Sequence, residues 1–82
     1  MTMLEDIFER FADEDFQVAD GFDEAVIGVE SRSMRLIYSR SKCIEILMRD
    51  MPREEAEEYF DFNVCDAYVG EKTPIWCDDD FE

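Results

Sequence analysis

The sequence predicts an α+β fold, with helices packed on a small antiparallel sheet of two or three strands in the order α-β-β-α-α-β. Three observations carry that expectation. Apolar residues recur at helical spacing in three separate stretches, two short branched runs flank a polar link, and a proline-marked extended run follows the last helix. With 82 residues, 46% of them apolar, the chain is expected to form one domain, residues 1–82, around a modest core.

Leu4, Ile7, Phe8 and Phe11 share a helical face, and Thr2 followed by Glu5 makes a capping box at its start. Asp13, Glu14 and Asp15 end that helix, because carboxylates oppose the negative end of the helix dipole. Residues 25–29 and 34–38 read as a β-hairpin joined through Glu30, Ser31, Arg32 and Ser33. A second helix is expected from an N-cap at Ser41 to about Asp50, with Ile44, Leu47 and Met48 on one face. Pro52 suits the first turn of a third helix, where its missing N–H costs nothing. Periodicity is strongest there: Ala56, Tyr59, Phe60, Asn63, Val64, Ala67 and Tyr68 line one face, and Gly70 is the expected stop. Asn63, in the middle of that face, is expected to be buried with its amide hydrogen-bonded. Residues 73–77 are held extended by Pro74 and are expected to add an edge strand, after which residues 78–82 form an acidic tail expected to fray.

Charge narrows the function classes. The chain holds Lys+Arg 8 against Asp+Glu 23, a net charge of −15. Residues 1–30 carry ten acids and one base, residues 31–53 two acids and six bases, and residues 54–82 eleven acids and one base. Such a chain repels free nucleic acid and anionic membranes and favours a basic partner. Arg32, Arg35, Arg40, Lys42, Arg49 and Arg53 form the basic middle, and pairing with the acidic segments within the chain is its expected role. The beginning of the sequence turns acidic at once, and no apolar run approaches the roughly 18 residues of a membrane span. A cytoplasmic location is expected, that of a host cell if the gene is viral.

Catalytic equipment is sparse. The chain has no histidine, which removes the commonest general base and metal ligand together. It has neither a nucleophile elbow nor a phosphate-cradling glycine loop, so no enzyme activity and no cofactor are expected. Cys43, Cys65 and Cys77 lack close Cys-x-x-Cys spacing, so buried small hydrophobes on helices are expected for Cys43 and Cys65, with no metal. Asp13, Asp15 and Glu24 occupy positions of a calcium loop, but Val18 stands where that loop requires glycine.

Glu54, Glu57, Glu58 and Asp61 fall on one stripe of the third helix. The ordinary role of such a run is a solvated face. The functional role is a row of carboxylates that imitates phosphates, joined by Asp78, Asp79 and Asp80 of the tail. A charge of −15 goes well past the magnitude of about 2–8 that serves solubility, which gives the functional role weight.

Residues 59–76, containing Tyr59-Phe60, Phe62-Asn63-Val64, Ala67-Tyr68-Val69-Gly70-Glu71 and Thr73-Pro74-Ile75, resemble a group of small bacteriophage-encoded proteins of unassigned function. The pattern begins with Glu54-Glu55-Ala56, and Gly21-Phe22-Asp23, Tyr38 and Lys42-Cys43-Ile44 extend the likeness upstream. Pro52 departs from it, standing where a capping serine is frequent, and so do the heavier acidic ends. The resemblance implies a phage origin and a host-directed role. The leading expectation is a small acidic inhibitor of a host nucleic-acid-binding defence protein, an anti-CRISPR or anti-restriction factor, that occupies a basic cleft as a nucleic-acid mimic through Glu54, Glu57, Glu58, Asp61, Asp78, Asp79 and Asp80. The alternative is a phage adaptor that docks on a host polymerase or metabolic enzyme through an apolar surface, and a homodimeric structural phage protein is a third. Monomer and homodimer both stay open.

Overall fold

Thr2 and Glu5 form the capping box, the Glu5 N–H donating to Thr2 Oγ1 at 3.3 Å and the Thr2 N–H donating to Glu5 Oε1 at 3.1 Å. In this computed structural model, which describes residues 2–65, 67 and 70–80, they open helix α1 (Met3–Arg10). Leu4 and Ile7 of α1 are buried, while Phe8 stays exposed. Phe8 and Phe11 close on Phe16, with ring centroids 6.1 and 6.4 Å away, so the acidic stretch after the helix folds back over it.

A 3-10 turn at Asp23–Ala25 leads into strand β1 (Val26–Glu30), which pairs antiparallel with β2 (Arg35–Ser39). Glu30 builds the intervening turn. Its carboxylate accepts from the Ser33 hydroxyl and N–H, both at 2.7 Å, and from the Arg32 N–H at 3.2 Å. Those bonds, the Ser33 hydroxyl foremost, hold the Glu30 carboxyl below the usual range.

The predicted edge strand forms, but in the other direction. Strand β3 (Ile75–Cys77) pairs with β2 in parallel, from Ile37 opposite Ile75 to Ser39 opposite Cys77. The sheet is therefore mixed, in the order β1-β2-β3, and not antiparallel. The cause is the connection. Strand β2 runs straight into helix α2 (Arg40–Leu47), and α2 and helix α3 (Arg53–Tyr59) carry the chain back to the start of β2 before β3 begins. A helical crossover between neighbouring strands gives a parallel pair.

Helix α2 is capped by Ser39, two residues before the expected Ser41, through a Lys42 N–H to Ser39 Oγ bond of 3.2 Å. It ends at Leu47, short of Asp50, and leaves Met48 exposed. Pro52 is the N-cap of α3 and not its first helical residue, and its carbonyl accepts the Ala56 N–H at 2.9 Å. Helix α3 then widens into a π-helical turn, Phe60–Val64, closed by the Cys65 N–H on the Phe60 carbonyl at 2.8 Å. Each i→i+5 bond takes up one residue more than an α turn, so the face expected from a 3.6-residue period shifts. Ala56 and Phe60 are fully buried and Val64 half-buried, but Tyr59, Asn63, Cys65 and Ala67 are exposed. Asn63 is thus no buried amide and Cys65 no buried hydrophobe. Tyr68 lies outside the described residues. The helix ends at Val64, well before the expected stop at Gly70. Gly70 instead takes φ +113° in a turn whose carbonyl accepts from the Thr73 hydroxyl (2.6 Å) and N–H (3.2 Å).

The core gathers Leu36 and Tyr38 from β2, Cys43 from α2 and Phe60 from the π turn, all with no exposed surface. Trp76 of β3 covers this group, with ring centroids 5.1 Å from Tyr38 and 5.3 Å from Phe60, edge-on to the latter. Tyr38 Oη accepts the Ala19 N–H at 2.8 Å and so ties the stretch before the 3-10 turn to the sheet. Burial pushes the Cys43 thiol up to about 12. Among the described residues, no helix is long and apolar enough to cross a membrane.

Candidate protein-interaction surfaces

The acidic stripe of α3 and the acidic tail, distant in sequence, meet at Arg40. As the first residue of α2, Arg40 leaves the end of the central strand beside both segments. Its Nη2 lies 3.1 Å from Asp61 Oδ1, and its Nε lies 3.9 Å from Asp78 Oδ1. The hydrogen bond to Asp61 raises the guanidinium pKa further, and its plane lies over the Phe60 ring at 5.5 Å.

Asp79 binds one residue further along. Its Oδ1 accepts from the buried Ser39 hydroxyl at 2.9 Å and from the Ser41 hydroxyl at 3.0 Å, beside the N-terminus of α2. The Ser39 bond, with Ser41 behind it, holds the Asp79 carboxyl below the usual range. Asp78, Asp79 and Asp80 are exposed and share the wall of a shallow hollow with Arg40 and Arg53. Phe81 and Glu82, the rest of the tail expected to fray, lie outside the described residues. On α3, Arg53 pairs with Glu57 at 3.7 Å and Glu54 and Glu58 are exposed, as is Asp61 of the π turn. Asp61, Asp78, Asp79 and Asp80 thus gather around Arg40, with Glu57 beside them on Arg53, whereas Glu58 lines a different hollow with Glu55, Tyr59 and Phe62.

Of the basic middle, Arg40, Arg49 and Arg53 do pair with acids of the flanking segments. Arg35 differs: its Nε donates to the Thr73 carbonyl at 2.6 Å and braces the turn before β3. Among the described residues, five carboxylates form ion pairs, and most of the others are exposed.

A second surface was not anticipated as a site. A groove of about 420 Å³ runs between the stretch around Val18 and Phe22, the end of α2 and the π turn. Phe22, Ile46, Leu47, Val64 and Trp76 form its apolar walls, while Tyr59 and Asn63, expected in the core, stand at its edge. No single stretch of sequence marks it, because Phe22, Ile46, Leu47, Val64 and Trp76 come from four separate segments of the chain. The indole Nε1 of Trp76 is buried without a hydrogen-bond partner among the described residues. A neighbouring hollow of about 380 Å³ shares Tyr59 and Asn63 and adds Glu55, Glu58 and Phe62, the last 73% exposed.

Asp13, Asp15 and Glu24 are exposed, and Glu24 is turned to Arg49 at 3.3 Å. Among the described residues, no three His, Cys, Asp or Glu side chains gather where they could hold a metal ion. Compared with known proteins, the chain matches no family model, no curated sequence and no solved structure.

Proposed function

We propose that this protein acts as a non-enzymatic acidic inhibitor that occupies the basic cleft of a nucleic-acid-binding protein and stands in for the nucleic acid. The observation that carries this reading is the meeting of two acidic segments at Arg40. Asp61 of the π turn and Asp78, Asp79 and Asp80 beyond β3 gather around Arg40, Glu57 stands beside them on Arg53, and in this reading the exposed Glu54 and Glu58 of α3 extend the same field of carboxylates. Arg40 and the two serines fix parts of that field in place, and preorganised charge costs less to bind than a free acidic tail. Against a cleft lined with Lys and Arg, such a field offers what a phosphate backbone offers. The resemblance to small bacteriophage proteins makes a bacterial defence nuclease, of the CRISPR or restriction kind, the class of partner.

The test is capture from bacterial lysate on immobilised protein, comparing wild type with the combined Glu54→Gln, Glu57→Gln, Glu58→Gln, Asp61→Asn variant. A nucleic-acid-binding protein retained by the wild type, lost with the variant and released by added duplex DNA or RNA supports mimicry. Retention that ignores both the variant and the nucleic acid overturns it.

A further inference from the structure

The apolar groove beside the π turn is a different surface from the Arg40 face, and its chemistry differs as well. Its walls hold Asp20 and Asp50 but no lysine or arginine. The adjoining hollow adds Glu55 and Glu58, again without a base. None of these four carboxylates forms an ion pair among the described residues, whereas Asp61, Asp78 and Glu57 on the other face each lie against a guanidinium. An apolar trough with an un-neutralised acidic rim is thus set apart from a face whose acids are partly compensated.

We propose that this groove is a docking site for a basic segment of a partner protein, one that inserts a large apolar side chain between flanking Lys or Arg residues. The apolar walls account for the anchor. A volume of about 420 Å³ accommodates a leucine or aromatic side chain with part of its backbone, and Val18 and Tyr59, 41% and 44% exposed, add apolar surface to the lining. The rim accounts for the flanks, since Asp20, Asp50, Glu55 and Glu58 gain a cationic neighbour only from outside. Charge also decides against the competing occupants. A second copy of this chain brings another −15 and its own acidic rim, and free nucleic acid meets carboxylates on every side.

The chain's single tryptophan lies in the groove wall, so its fluorescence reports occupancy without a label. The full protein is titrated with a synthetic peptide carrying one central leucine flanked by lysines and no aromatic residue, and the site is mapped by backbone amide NMR. Saturable binding is expected, with shifts centred on Ile46, Leu47, Val64 and Trp76. Replacing the peptide's leucine by alanine is expected to weaken binding about tenfold, as loss of a buried anchor does. Asp20→Lys with Asp50→Lys in the protein is expected to weaken it about tenfold or more, since like charges then face each other across the rim. Both aspartates are exposed, so the fold survives their change, which circular dichroism verifies. Equal binding of the alanine peptide overturns the proposal, as do shifts confined to the Arg40 face or self-association of the protein through the groove. Glu58 borders this rim as well, so the readings are separated by Asp20→Lys with Asp50→Lys, which leaves the Arg40 face intact, and by Glu54→Gln with Glu57→Gln and Asp61→Asn, which leaves the groove rim intact.

Discussion

Arg40 holds Asp61 at 3.1 Å and Asp78 at 3.9 Å, so one guanidinium at the start of α2 binds the π turn after α3 and the chain beyond β3 to the same place. Its side chain is 29% exposed and rests on the Phe60 ring, which makes it more than a surface ion pair. Arg40→Gln is expected to lower stability by about 1 kcal/mol, combining a partly screened ion pair with a cation–π contact. Urea unfolding at low and high salt measures this. The gap between wild type and variant should narrow with salt as the ionic part is screened.

Ser39 does three things at once: it ends β2, caps α2 and binds Asp79. Ser39→Ala should therefore cost about 1–2 kcal/mol, the upper range for a cap, because the buried hydroxyl has two acceptor–donor duties to lose. Thermal unfolding of the variant reads the loss directly.

Asp79 gives that network a pH dependence. Its folded-state pKa lies below its unfolded value, so its contribution is present above the usual carboxylate range and is lost as pH falls through the depressed folded value. Asp79→Asn should be less stable than wild type at neutral pH, with the two converging in strong acid. A constant difference down to acid unfolding would assign the stabilisation to some other group.

Two phenylalanines two residues apart in the π turn should behave oppositely. Phe60 is fully buried against Trp76, and Phe60→Ala is expected to cost about 3–5 kcal/mol. That loss takes most of the stability of a domain this small, for which roughly 5 kcal/mol is usual. Phe62 is 73% exposed, and Phe62→Ala should change stability by less than about 0.5 kcal/mol. Chemical denaturation of the pair checks both the burial and the phase of the π turn.

The thiols offer an independent check on the same turn. Cys43 is buried with its pKa pushed up to about 12, and Cys65 is exposed. In the native protein near neutral pH, a thiol reagent should modify Cys65 and leave Cys43 untouched until unfolding. Peptide mapping after brief labelling distinguishes them.

Much of the fold was legible from local chemistry. The capping box at Thr2 and Glu5, the branched runs either side of the Glu30 turn and the proline before β3 each rest on residues close together in sequence. The direction of β3 was not legible, because it follows from the path of two helices and not from the pattern of Ile75, Trp76 and Cys77 themselves. Nor was the π turn, since a continuous 3.6-residue period fits residues 56–68 well and conceals one added residue. That single shift moved Asn63 out of the expected core and into the groove lining, where Tyr59, the last residue of α3, also stands. The acidic residues were legible by number alone. Pairing of the basic middle with the acidic segments was legible too, but not which residues meet, because Arg40 stands 21 positions before Asp61.

The central claim is that carboxylates here take the place of phosphates. Its most direct measurement is the affinity for the captured partner as a function of salt, with and without that partner's own nucleic acid. Mimicry predicts a steep fall in affinity as salt rises, because charge faces charge across a basic cleft, and mutually exclusive binding with the nucleic acid. A partner that holds this protein and its nucleic acid together, with an affinity indifferent to salt, would contradict the claim.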